Sequence, residues 1–256
     1  YATVINLEFV ERPAFTDPDF SFYLAFNGVA GGLARFDYSG DDWDGSAAFN
    51  ASRALDLSDR WIVLHEIGHT LGLKHTGDYD AAGFTPPPPF LPPDEDNGRY
   101  SVMSYNNDDA TFGVIDSLGV YDIAALQARF GANMHHNTGN DRYGDPGAGN
   151  FRTIWDAGGR DTLFARDALA PVDLDLRGGT RSDFATGGAV VIAYGAQIEN
   201  AVGGAAADVL TGNAGANRMT GKGGDDRLIG GRGADRLPCL AAMARICSRA
   251  ARATTR

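Results

Sequence analysis

The residues best suited to chemistry lie in one short run. His65-Glu66-Ile67-Gly68-His69-Thr70-Leu71-Gly72-Leu73-Lys74-His75 has the spacing H-E-x-x-H-x-x-G-x-x-H. On a helix, His65 and His69 stand one turn apart on one face, where two imidazoles grip a single tetrahedral cation. Gly72 tolerates positive φ, so the chain can leave the helix and turn back to offer His75 as a third ligand. Three nitrogen donors suit Zn²⁺ and leave one position open to water, which separates a catalytic site from a closed structural one. Zinc lowers the pKa of such a water from roughly 15.7 to about 7. Glu66, beside the first ligand, is then the expected general base, taking a proton from the water and passing it to a leaving amine. The predicted chemistry is peptide-bond hydrolysis without a covalent intermediate. At this chain's own His, Glu and Gly frequencies, a chance match is on the order of one in a hundred thousand, so coincidence is set aside. His135 and His136 fall in an expected linker and read as ordinary surface histidines.

These residues need elements to position them. Trp61, Leu64, Gly68 and Leu71 form one stripe of a helix expected between Leu57 and Leu71, with Ser58 or Asp59 as cap and Gly72 as stop. Before it, the runs Val4 to Val10, Phe20 to Phe26 and Leu33 to Tyr38 alternate with Asp/Gly turns and read as a twisted sheet. After it, Thr85 to Asn97 carries Pro86 to Pro89 and Pro92-Pro93, which predicts an extended, polyproline-like surface loop. Beyond the loop comes Ser101-Val102-Met103-Ser104-Tyr105. A second helix is expected from Tyr121 to Phe130, ended by Gly131. The first domain boundary is placed just after it, giving a catalytic domain over 1–133.

From Gly203 onward the text repeats every nine residues. Asp208, Asn217, Asp226 and Asp235 share one position, Leu210, Met219, Leu228 and Leu237 another, and Gly203, Gly212, Gly221 and Gly230 a third. Superposed registers at this period predict a calcium β-roll of Gly-rich turns and very short strands, within a β-rich second domain over 134–238. After Leu237 the register stops. Residues 239–256 form an Ala/Arg-rich tail containing Cys239 and Cys247, expected to lack structure and to reflect a shifted reading frame or a broken gene end. Tyr1 reads as a processed or truncated start.

Composition excludes some partners. A formal charge of -11 argues against nucleic acid, because phosphate binding draws on a surplus of Lys and Arg, whereas carboxylates suit calcium. No run approaches the roughly 18 apolar residues of a membrane span, and no basic-then-apolar leader opens the chain. Nothing requires more than a monomer.

With the histidine run in place, Ser101 to Tyr105 resembles the Met-turn of metzincins, in which Met103 would underlie the zinc ligands. His75-Thr76-Gly77-Asp78-Tyr79, Tyr121-Asp122-Ile123-Ala124-Ala125-Leu126-Gln127, Trp155-Asp156-Ala157-Gly158-Gly159 and Ile192-Ala193-Tyr194-Gly195 are similar to the wording of one metzincin family, the serralysins. That resemblance extends over most of residues 1–237. It implies an α+β metzincin catalytic domain, a twisted sheet plus a zinc-binding helix, followed by an all-β parallel β-roll of nonapeptide calcium repeats. It implies a secreted, extracellular endopeptidase acting on extended polypeptides, with a protein inhibitor as a further expected partner. It makes Tyr105 a further zinc ligand that swings away and then steadies the oxyanion. Calcium would lie between Asp208 and Asp226, and between Asn217 and Asp235, with Asp156, Asp161 and Glu199 at further calcium positions. Gly31 to Phe36 is read either as the sheet edge that pairs with substrate or as an interior strand. Thr76 and Asn106 depart from the family, which has Pro and Trp there. An impaired fragment serving only as a calcium-binding roll is the alternative function.

Overall fold

The computed structural model describes residues 1–8, 10, 20–25, 32–39, 42–50, 60–79, 87–106, 117–238 and 246–248. The expected caps Ser58 and Asp59 and the first part of the proline loop lie outside the described residues. The chain divides into two compact units, Tyr1–Ala132 and Asn133–Arg256.

The first unit holds strands β1 (Phe20–Ala25), β2 (Gly32–Ser39) and β3 (Asp42–Asn50), in the order β1-β3-β2. β2 runs antiparallel to β3, from Ser39↔Asp42 to Gly32↔Phe49, and β1 runs parallel to it. The central strand is the one that sequence patterning missed. Gly45, Ser46 and two alanines carry little strand propensity, yet pairing on both sides holds them there, with Ala47, Ala48 and Phe49 buried. The strand expected over Val4 to Val10 is a correction. Val4 N–H donates to Tyr1 O (2.8 Å), curling the segment into a turn, and Ile5 makes only an isolated bridge to Ala132.

Helix α1 (Arg60–Thr70) ends where Gly72 takes φ +85°, and the freed Leu73 N–H donates to Gly68 O (2.9 Å). Helix α2 (Val120–Phe130) buries Val120, Ile123 and Leu126 along one stripe and stops at Gly131, φ +78°. The extended reading of the proline loop holds only in part. Pro87, Pro88, Pro89, Pro92 and Pro93 are exposed, but Pro92 O accepts from Glu95 N–H (2.9 Å) and Asp96 N–H (2.8 Å), a turn that carries Asp96 into the interior.

The second unit has no helix among its described residues. Its strands are β4 (Arg142–Tyr143), β5 (Phe151–Ile154), β6 (Thr162–Phe164), β7 (Asp173–Asp175), β8 (Arg181–Asp183), β9 (Ala189–Ile192), β10 (Asn200–Val202), β11 (Val209–Thr211), β12 (Arg218–Thr220), β13 (Arg227–Ile229) and β14 (Ile246–Ser248). They form two sheets, β12-β10-β6-β4 and β14-β13-β11-β7-β8-β9-β5. Successive nonapeptides alternate between the sheets, so each strand pairs in parallel with the strand two repeats on: Asn200↔Arg218 and Val209↔Arg227. The shared apolar position points inward, and Leu163, Ala201, Leu210, Met219 and Leu228 are all buried.

Two expectations are corrected here. The unit is not wholly parallel, because β8 pairs antiparallel with both β7 and β9. Tight turns at Gly179 (φ +79°) and Gly187 (φ +88°) reverse the chain there, and neither has the length a parallel crossover needs. The tail expected to lack structure contributes β14, which pairs in parallel with β13, Arg227↔Ile246 to Ile229↔Ser248. A strand edge offers unpaired backbone groups to any segment able to extend beside it.

Candidate metal centre

α1 carries His65, Glu66 and His69, and the turn at Gly72 brings back His75. The three Nε2 atoms converge, His65 to His69 at 3.1 Å, His69 to His75 at 3.0 Å and His75 to His65 at 3.3 Å. The protons go elsewhere. His65 Nδ1–H donates to Val102 O (2.7 Å) and His69 Nδ1–H to Leu73 O (2.9 Å); a carbonyl only accepts, so these rings carry their proton on Nδ1 and present bare Nε2 lone pairs. Burial pushes the His65 pKa down to about 3, assisted by the neighbouring His69, and burial lowers His69 too. Neutral rings with lone pairs facing one another fit a cation. Tetrahedral nitrogen ligands about 2.05 Å from zinc stand about 3.3 Å apart, close to the separations here.

The Met-turn lies against this helix. A Cβ on Gly68 would come 2.7 Å from Met103 Sδ, so glycine at that position lets the buried methionine pass beneath the ligands. Val102 O also accepts from Trp61 Nε1–H (3.0 Å). Asp122 on α2 anchors the turn from below: its carboxylate accepts Ser101 Oγ–H (2.5 Å), Val102 N–H (2.7 Å) and Gly119 N–H (2.8 Å). A single residue, Val102, therefore joins the Asp122 carboxylate to the His65 ring, through its N–H on one side and its carbonyl on the other.

Glu66 is buried, and burial pushes its carboxyl up to about 7 against the opposing pull of the Ala34 N–H from β2. β2 is an edge of the described sheet. Gly31 lies outside the described residues. The Tyr105 ring stacks on His65 (5.3 Å, 18°) and lies 4.5 Å from the His75 ring. It is 41% exposed, and the Glu66 carboxylate and Tyr79 reinforce the raising of its pKa by burial.

The second unit assembles carboxylates. Asp141, Asp156 and Asp161 each bring one oxygen within 4.8 Å of the others, and Glu199 Oε2 accepts Asp161 N–H (2.8 Å). Asp161 Oδ2 is buried with no hydrogen-bond donor among the described residues. Burial, reinforced by Asp156, Glu199 and Asp141, pushes Asp161 up to about 6. A buried, orphaned oxygen among like charges fits a hard cation such as Ca²⁺. Asp141 was missed by sequence reasoning, although an acid in a Gly-Asn-Asp turn was the available signal. In the repeats, Asp226 Oδ1 accepts Asp208 N–H (3.2 Å) and Asp235 Oδ1 accepts Asn217 N–H (3.0 Å), so the paired positions stack two repeats apart. A Cβ on Gly203 would lie 2.3 Å from Asp208 Oδ2 and 2.8 Å from Gly221 O, a cradle of oxygens that only glycine leaves open.

Comparison with known proteins agrees with both halves. Residues 202–237 match the family model of the RTX calcium-binding nonapeptide repeat, in four copies. Serralysin G of Dickeya chrysanthemi is 40% identical over 191 residues, 66% of this chain and 40% of that protein. Serralysin of Proteus mirabilis is 36% identical over 203 residues, 68% of this chain and 40% of that protein. Metallopeptidase AprA of Pseudomonas marginalis is 32% identical over 243 residues, 82% of this chain and 51% of that protein. The chain thus spans between two fifths and about half of these relatives.

Proposed function

We infer that this chain, a serralysin homologue carrying RTX repeats, is a zinc-dependent endopeptidase whose second unit binds calcium. The observation that carries the reading is the triangle of Nε2 atoms at 3.0 to 3.3 Å, with each of the two helical rings fixed by a backbone carbonyl that leaves its Nε2 unprotonated. His65, His69 and His75 would hold the zinc, which supplies Lewis acidity and a water acidic enough to be deprotonated near neutrality.

The protein's own groups do the rest. Glu66 sits one residue from the first ligand, buried and with a raised pKa, which makes it a strong enough base to accept a proton from water and a strong enough acid to release it. Water's oxygen bonds to the peptide carbonyl carbon, the C–N bond breaks, and the proton on Glu66 moves to the departing amine. The Tyr105 hydroxyl, carried on a ring over His65 and His75, donates to the oxyanion as charge develops there. An extended substrate would align beside β2, at the sheet edge nearest Glu66 through Ala34. Asp141, Asp156, Asp161 and Glu199, with the Asp208/Asp226 and Asn217/Asp235 pairs, are the proposed calcium ligands. The resemblance also carries an extracellular setting.

Casein digestion tests this reading. Zinc-loaded protein should cleave casein, a chelator should stop it, and Glu66→Gln should lose about 10²- to 10⁴-fold while keeping its zinc. Cleavage that survives chelation, or a fully active Glu66→Gln protein, would overturn the reading.

A further inference from the structure

Thr76 and Asn106, thirty residues apart in the chain, meet at one buried carboxylate. Asp96 is 6% exposed. Its Oδ1 accepts Thr76 Oγ1–H (2.5 Å) and the Tyr79 hydroxyl (3.0 Å), and its Oδ2 accepts Asn106 Nδ2–H (2.8 Å). Tyr79's oxygen in turn accepts the Tyr105 N–H (3.1 Å). Thr76 follows the third histidine, and Asn106 follows Tyr105.

Counting protons fixes the direction of every bond. The Tyr105 amide can only donate, so it occupies the Tyr79 oxygen and leaves Tyr79's single proton for Asp96. The Thr76 and Tyr79 hydroxyls are 2.9 Å apart, and with Tyr79's proton committed, Thr76 directs its own to Asp96 as well. Every partner is then a donor, and the Asp96 carboxyl oxygens accept from all of them. Gly77 clears the space: a Cβ there would lie 2.5 Å from Asp96 Oδ2 and 2.0 Å from Tyr79 Cε1.

We propose that Asp96 is a positioning residue, a latch that ties the segment after His75 to the Tyr105 turn through Thr76, Tyr79 and Asn106 and so sets where the Tyr105 hydroxyl reaches. The latch holds Tyr105 by its backbone amide and its neighbour's side chain. This rests on the peptidase reading, in which that hydroxyl meets the developing charge.

Two measurements test the latch, one without reference to turnover. Hydrogen exchange of the Tyr105 and Asn106 amides, followed in the full chain, should accelerate at least about tenfold in Asp96→Asn while the amides of α2 stay unchanged. Asn turns an N–H toward donors, so the amide loses its anchor. Unchanged exchange at Tyr105 overturns the proposal whether or not the protein cleaves casein. In kinetics, Asp96→Asn should lower kcat about tenfold with KM within about twofold, and should add almost nothing in a Tyr105→Phe background. Full multiplication of the two losses overturns the positioning role, since it means that Asp96 acts without Tyr105. Should Asp96→Asn fail to fold, Asn106→Leu, at an exposed position, removes one donor and carries both measurements with the same expected direction.

Discussion

At His65 and His69 the ring protons are taken by the carbonyls of Val102 and Leu73, so the ligand atoms stand in place through bonds internal to the protein. At Asp141, Asp156, Asp161 and Glu199 the fold instead gathers like charges and leaves Asp161 Oδ2 buried without a donor among the described residues. In the first arrangement two rings have their protons bonded and their lone pairs turned toward a third ring; the second is repulsive until a cation arrives. The difference teaches which property each ion would supply. Zinc would add chemistry to geometry that already exists, whereas calcium would complete the structure that holds it.

Removing a ligand should therefore be felt most at the first site. His69→Ala deletes the central Nε2, the atom nearest both others, and is expected to weaken zinc binding by a thousandfold or more, on the order of several kcal/mol. Metal content after dialysis, with casein cleavage beside it, checks this. α1 should persist, because its backbone bonds do not depend on the ring. A variant that keeps stoichiometric zinc breaks the three-histidine account.

The second effect is the response to ion removal. Chelating calcium should lower the stability of the second unit by about 4 kcal/mol relative to calcium at a thousand times its Kd, and raise hydrogen exchange across 203–237. Chelating zinc should leave exchange in α1 nearly unchanged, since the histidines are held by carbonyls. Equal protection of the repeats with and without calcium would remove the contrast between the sites.

How much of this could be read beforehand follows from the range of each interaction. The three histidines were legible because helical spacing and one glycine turn are local properties. The nonapeptides were legible because a period repeats itself. Asp96 and Asp122 were not, since each bonds to partners about twenty residues away across loops that carry no periodicity. β3 was hidden by a Gly/Ser/Ala composition that only pairing on both sides makes into a strand. The antiparallel β8 was hidden because its turns fall between recognisable repeats.

A third prediction separates a satisfied buried carboxylate from a crowded one. Asp122 is buried and accepts three donors, yet burial outweighs them and pushes its pKa from 3.8 to about 6. A raised acid binds its proton more tightly when folded, so its contribution is fully present below about pH 4 and is lost as pH rises through about 6. Metal-free wild type should lose up to roughly 3 kcal/mol relative to Asp122→Asn between those values, read from paired melts at pH 4, 5, 6 and 7. A difference independent of pH would sink the assignment.

The smallest effect lies within the roll itself, where the two stacked pairs are unequal. Asp208 faces Asp226, and burial, with Asp226 adding to it, raises the Asp208 pKa. Asn217 faces Asp235 with one carboxylate fewer, and its amide is already engaged, Nδ2–H donating to Glu199 O (3.3 Å) and Asn213 Oδ1 (3.0 Å). The asparagine turn is thus closer to the satisfied condition of the zinc site, and the aspartate turn closer to the crowded one. Asn217→Asp should carry the first kind into the second: without calcium the variant melts lower, by about 1 kcal/mol, because two donated bonds are lost and a like charge is added. With calcium the added charge strengthens binding by about tenfold, and the order of the melts reverses. Titration calorimetry and melts at several calcium concentrations read both signs, and a variant less stable at every concentration would mean that this turn holds no ion and that Asn217 serves only its own hydrogen bonds.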